Sequence, residues 1–238
     1  MSNPENLKVT EVVSIAVVLI CCFAASLGMA FNIDGIKESF NLTNAHAGRL
    51  ISLEMFSIAV GNFFFARLTH KTNSKTVFFI GASVILFFNL LSILATEPLH
   101  LAFFRIPAGL ALGAVAATCA GRIAKSDKPD LNFGAINSAV GLMGVFMAFA
   151  LPRALNLDFP VTSSLRLTGI DGLYLVYGLC ALFALLVVSR TPSDQPKKFQ
   201  AQHKSSKALR IGWLALFGKG VMFFGHGTVS YTHLTLPT

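Results

Sequence analysis

Predominantly apolar runs of about 20 residues recur along almost the whole 238-residue chain, at 12–31, 47–68, 76–95, 101–121, 133–151 and 172–188, and a seventh begins near Ile211. At 1.5 Å per residue, each can cross a hydrocarbon core of about 30 Å as a helix. Lipid offers no water to satisfy backbone N–H and C=O groups, so such a chain is held to segments whose hydrogen bonds close internally. Composition agrees: 54% of the residues are hydrophobic and 13% charged, against about a quarter charged in soluble domains. Mean hydropathy is +0.66. The reading is an all-α, multi-pass integral membrane protein whose first partner is the lipid bilayer.

A net charge of +8 raises nucleic acid as a partner. The basic residues, however, sit in short clusters between apolar runs and not on an aromatic-bearing polar face, which excludes that class. They read instead as topology signals. Thirteen Lys and Arg fall on one side of the bilayer, in the clusters around Lys8, Arg67 to Lys75, Arg122 to Lys128 and Arg190 to Arg210; the other side has Lys37, Arg49, Arg153 and Arg166. That bias puts the N-terminus in the cytoplasm, with a bacterial inner membrane as the expected setting. The first run lacks a small-residue cleavage site, so it is expected to stay as a span.

Residues 190–210, "RTPSDQPKKFQAQHKSSKALR", are polar, basic and broken by Pro192 and Pro196. They read as a cytoplasmic linker after a six-span bundle at 1–189. A partial seventh span at 211–229 follows. "AGRLIS" at 47–52 and "FGAINS" at 133–138 open the middle members of two three-helix groups, as an inverted 3+3 repeat would leave them.

The fourth run, "FRIPAGLALGAVAATCAGR", places Gly109, Gly113, Ala117 and Gly121 on one face, where small residues let a neighbouring backbone come close. Arg105 lies on that side, several residues inside the membrane. A charge there costs about 2.5–3.5 kcal/mol at the centre of the bilayer on insertion scales. Arg105 must therefore face a polar cavity or a partner, or snorkel to the outer headgroups. Glu54, in "SLEMFSIAVGN", shares a stripe with Ser57, Gly61 and Asn62. Three readings are open for it: a structural pair with a neighbouring helix, an interfacial carboxylate reaching outer water, or a transport role. Desolvation disfavours its charge and a nearby arginine favours it, so alternation between two such environments would take up and release a proton. Asn137 in the fifth run and Asn32 at the outer end of the first are further cavity candidates. Asn89 reads as a hydrogen bond between helices.

Other chemistry is sparse. Cys21, Cys22, Cys119 and Cys180 lie inside apolar runs without metal-ligand spacing and read as packing residues. His46, His100, His203 and His226 share no ligand spacing, so no metal is expected. No stretch forms a phosphate-binding loop. "GASVI" at 81–85 lacks the second glycine of a nucleophile elbow. Asn41, Leu42 and Thr43 form a formal glycosylation acceptor, relevant only in a eukaryotic secretory context.

"FRIPAGLALGA" resembles the fourth-helix signature of the major facilitator superfamily, an Arg followed four residues later by Gly and further small residues. The turn "ARLTHKTNSKTVFF" occupies the place of that family's loop signature. Ala66 stands at the first Gly, Leu68 at the Leu, His70 at the Asp, Lys71 and Lys75 at basic positions and Asn73 at the second Gly. With His70 in place of the acid, the latch that this loop forms in the family would be lost or become pH-dependent. "SLEMFSIAVG" and "KPDLNFGAINSAVGLMGVFMAFALP" look like one branch of the superfamily. The fifth run lacks the Gly-Pro pair of drug antiporters.

The resemblance implies the N-terminal six-helix bundle of a twelve-span transporter, with part of a seventh helix and the C-terminal six-helix half missing. Residues 230–238, "SYTHLTLPT", resemble a translated sequencing adapter and are set aside as non-native. The implied function is secondary active transport of a small solute by rocking two bundles, with protons as the candidate coupling ion and no cofactor. The alternatives are a non-transporting multi-span scaffold and, less favoured, an intramembrane enzyme.

Overall fold

The computed structural model describes residues 8–69, 71–156, 158–160 and 166–193. Among them the chain forms eight helices: α1 (Val9–Cys22), α2 (Ala24–Leu27), α3 (Met29–Phe40), α4 (Asn44–Leu68), α5 (Ser74–Ile93), α6 (Pro98–Ile123), α7 (Pro129–Leu155) and α8 (Ile170–Val188). Five of these, α4 to α8, are long and apolar enough to cross a membrane. The expected linker beyond Ser193, the seventh run and the tail lie outside the described residues, as does His70.

Local chemistry sets the helix starts. The Thr43 hydroxyl accepts from the His46 amide ahead of α4, and the Asn73 side chain accepts from the Lys75 amide ahead of α5. Pro98 and Pro129 open α6 and α7, where a missing N–H leaves no bond unmade. Asn41, which caps α3, takes a left-handed conformation with φ 50°, a region that Asn tolerates better than most residues. One departure from an all-α fold is a small antiparallel pair, β1 (Asp158–Pro160) with β2 (Arg166–Thr168), in the loop before α8. A loop in water is free to pair its backbone in this way; a lipid-exposed one is not.

α6 is the axis of the bundle, with 67% of its apolar window buried against 17% for α7. One core cluster joins Ile15 and Val18 to Phe78, Ala82, Val115 and Ala181. A second gathers Ala24, Ile51, Leu101, Leu151, Leu173 and Tyr177. Phe56, Phe63, Phe79, Phe103, Phe146, Leu179 and Phe183 point outward and are exposed. So many large apolar side chains on the outside suit a lipid surround.

The first apolar run departs from expectation. A single span at 12–31 is expected, whereas the helix is interrupted at Phe23 and Gly28 and helical structure continues to Phe40. Gly28 is where Tyr177 of α8 comes in: a side chain at Gly28 would collide with the Tyr177 hydroxyl and come within 2.5 Å of Leu151 Cδ1. The Tyr177 hydroxyl donates to Asn32 Oδ1 at 2.7 Å, and Asn32 Nδ2 donates to the Ala25 carbonyl at 2.9 Å, all in buried surroundings. Asn32 thus ties α3 to α2 and α8 across the interruption at Gly28, and its side chain is buried inside the bundle. Tyr177→Phe leaves Asn32 Oδ1 without its donor and is expected to cost about 1–3 kcal/mol. Thermal unfolding of the purified chain checks this; an unchanged midpoint would show that the hydroxyl does not hold Asn32 in place.

Candidate functional site

Glu54 lies ten residues into α4, about 15 Å along it at 1.5 Å per residue, and Arg105 seven residues into α6, about 10 Å. Both helices start from the same end of the bundle, so the two side chains meet at one level, deep in the span. Arg105 Nε donates to Glu54 Oε2 at 3.1 Å, and Arg105 Nη2 donates to Oε1. The pair is bidentate, the geometry that matches a planar guanidinium to a carboxylate. Glu54 is 5% exposed and Arg105 4%, which leaves neither charge to water. This settles where Arg105 points: into the bundle, not along its stem to the headgroups.

Two further helices complete the surroundings. Arg105 Nη1 donates to Asn89 Oδ1 of α5 at 2.7 Å, and the guanidinium carbon stands 5.2 Å from the centre of the Tyr174 ring of α8. Tyr174 in turn meets Tyr177 edge to face at 6.1 Å. Asn89 is a hydrogen bond between helices, as expected, but its partner is the arginine of the site. The tyrosines escape sequence reading, although two phenols set in "GLYLVYGL" are a signal of polar work inside an apolar run.

The pair is registered by a seam of glycines. A methyl added at Gly109 would stand 2.8 Å from the Glu54 carbonyl oxygen and 2.9 Å from Ser57 Cβ. One at Gly113 would strike the Ile58 carbonyl and lie 2.5 Å from the Asn62 amide nitrogen, and one at Gly61 would strike the backbone of Leu110. α4 and α6 therefore touch backbone to backbone, as small residues permit. Gly121 is looser, with Thr69 atoms at 3.6 Å. There the seam opens into a cavity of about 330 Å³ lined by Asn62, Ala66, Thr69, Ala117, Ala120 and Lys125 among others. This cavity lies at the opposite end of α4 and α6 from the ion pair and is no part of its chemistry.

The remaining candidates lie apart. Asn32 belongs to the contact between α2, α3 and Tyr177 of α8. Asn137 is exposed on α7, on a face where Gly134, Gly141 and Gly144 have nothing within 4 Å. Leu68, the last residue of α4, and Lys71 in the loop after it are exposed. Lys75 Nζ donates to the Ser189 carbonyl at 2.8 Å, and Asn73 Nδ2 to Ser193 Oγ at 2.9 Å, so the start of α5 grips the chain just after α8. Among the described residues no group of three or more His, Cys, Asp or Glu could hold a metal.

The sequence family described as the Major Facilitator Superfamily matches residues 13–236. The chain belongs to that superfamily. The match runs on past residue 193, the last residue that the structure describes, to residue 236. Membership makes this a multi-pass membrane protein of a transporter family whose members are generally not enzymes, and it implies secondary transport of a solute across a bilayer. No curated protein matches the chain.

Proposed function

We propose that residues 1–189 are the six-helix N-terminal half, a 3+3 inverted repeat, of a secondary active transporter that moves a small solute by alternating access with Glu54 as its proton-coupling residue. The linker 190–210 and the N-terminus face the cytoplasm, and a C-terminal six-helix half completes the central pathway. One observation carries the coupling: the bidentate Glu54 and Arg105 pair is buried inside the span. As a pair it is neutral. Parted in a low dielectric, each charge is uncompensated, and breaking a buried pair costs about 3–5 kcal/mol. Protonation of the carboxylate removes one of the two charges, so parting and proton uptake go together. The glycine seam keeps α4 and α6 in contact, which makes side-chain rotation the route of parting, and not separation of the helices.

The test is Glu54→Gln in the completed transporter, reconstituted in vesicles. Uptake driven by a pH gradient should be abolished while solute exchange without a gradient persists. Unchanged accumulation with unchanged pH dependence would remove Glu54 as the coupling residue and leave the pair as a structural tie of the kind a scaffold would need.

A further inference from the structure

Asn89 carries an unmet demand. It is 1% exposed, and its Nδ2 has no hydrogen-bond partner among the described residues. The amide cannot be turned to cure this, because Arg105 Nη1 can only donate and so fixes Oδ1 toward itself. A buried N–H donor without an acceptor is rare and marks a place where an acceptor belongs. Arg105 adds to the excess: a guanidinium has five N–H donors, and among the described residues it makes three hydrogen bonds, two to Glu54 and one to Asn89. The corner where α5 meets α6 is rich in donors and short of acceptors.

We infer that the corner formed by Arg105 and Asn89 binds the carboxylate of a small carboxylic acid solute, carried together with one proton on Glu54. The inference rests on the proton-coupling reading above and names its substrate class. Glu54 already shows that the Arg105 fork takes a carboxylate bidentately. A solute carboxylate is its chemical equal and competes for the same donors. Asn89 Nδ2 is a further donor, free for the solute, and the Tyr174 face is an apolar wall beside the guanidinium.

Charge fixes the stoichiometry. Ionised Glu54 with Arg105 is neutral. An anion added to that pair would leave a net negative charge in a low dielectric, which is costly. If a proton from the aqueous phase bonds to Glu54, the Arg105 bonds to its carboxylate are given up and re-form on the solute, and the corner is neutral again. The titratable groups around the pair on the packed helices are Tyr174 and Tyr177, with Asp171 farther along α8. α5 contributes the uncharged Asn89.

The experiment uses the 238-residue chain in lipid nanodiscs, titrated calorimetrically with acetate and benzoate and with their uncharged counterparts acetamide and benzamide. Carboxylates should bind and amides should not. Binding should tighten as pH falls, with uptake of about one proton per carboxylate. Glu54→Gln removes the competitor, so at mildly alkaline pH it should bind carboxylates about tenfold more tightly and lose the pH dependence. Asn89→Ala should weaken binding about tenfold while thermal unfolding confirms a folded chain. Equal binding of amides and carboxylates, or no carboxylate binding to a folded Glu54→Gln chain, overturns the inference. The two readings fail separately: uptake that stays pH-driven in Glu54→Gln sinks the coupling role, whereas lost coupling without carboxylate binding sinks the substrate class.

Discussion

Arg105→Leu is expected to destabilise the folded chain by about 3–5 kcal/mol, because it strands the Glu54 carboxylate in the span and removes the donor that fixes Asn89. Glu54→Leu should cost a similar amount by stranding the guanidinium. The double variant should recover most of the loss, since replacing both members of a buried pair by apolar groups of similar size is often neutral. The coupling between the two sites is read from unfolding of all four proteins in the same detergent. Additive losses would mean that the two side chains are not one neutral unit, and that parting them does not call for protonation.

The glycine seam carries the second large effect, and its sign changes along the chain. Gly113→Ala and Gly61→Ala put a methyl against opposing backbone, which cannot yield as a side chain can, so each should cost at least about 1–3 kcal/mol by overpacking. Gly121→Ala, with ordinary contacts at 3.6 Å, should be tolerated. On α7, Gly134→Ala and Gly141→Ala meet nothing within 4 Å and should stabilise the helix by about 0.5–1 kcal/mol through the unfolded state. Unfolding midpoints of the five variants check the order. Equal losses at Gly113 and Gly134 would contradict backbone contact between α4 and α6.

Much of this architecture is legible in the sequence because lipid imposes so few options. Apolar runs long enough to span become helices, and five of the expected spans recur as α4 to α8 with ends shifted by several residues where Thr43, Asn73, Pro98 and Pro129 set the starts. Glu54 and Arg105 stand out as charges inside such runs, and only burial against each other makes both affordable. Their other partners are less legible. Asn89 and Tyr174 come from α5 and α8, and nothing in the order of residues says which rotation of those helices turns them toward Arg105. The close contact at Gly28 escapes for a related reason: a glycine in an apolar run is most simply read as packing, and the group that comes against it is the Tyr177 hydroxyl, far along the chain. The loop before α8 pairs as strands because it is freed from the constraint that makes the rest predictable.

In the proposed cycle Glu54 gains a proton when Arg105 leaves it. Infrared difference spectroscopy of the chain in nanodiscs, recorded with and without benzoate, reads the carboxyl directly. A protonated-carboxyl band should appear on benzoate binding in the native chain and be absent in Glu54→Gln. Benzoate binding with no such band in the native chain, or with the same band in Glu54→Gln, would contradict proton uptake by Glu54.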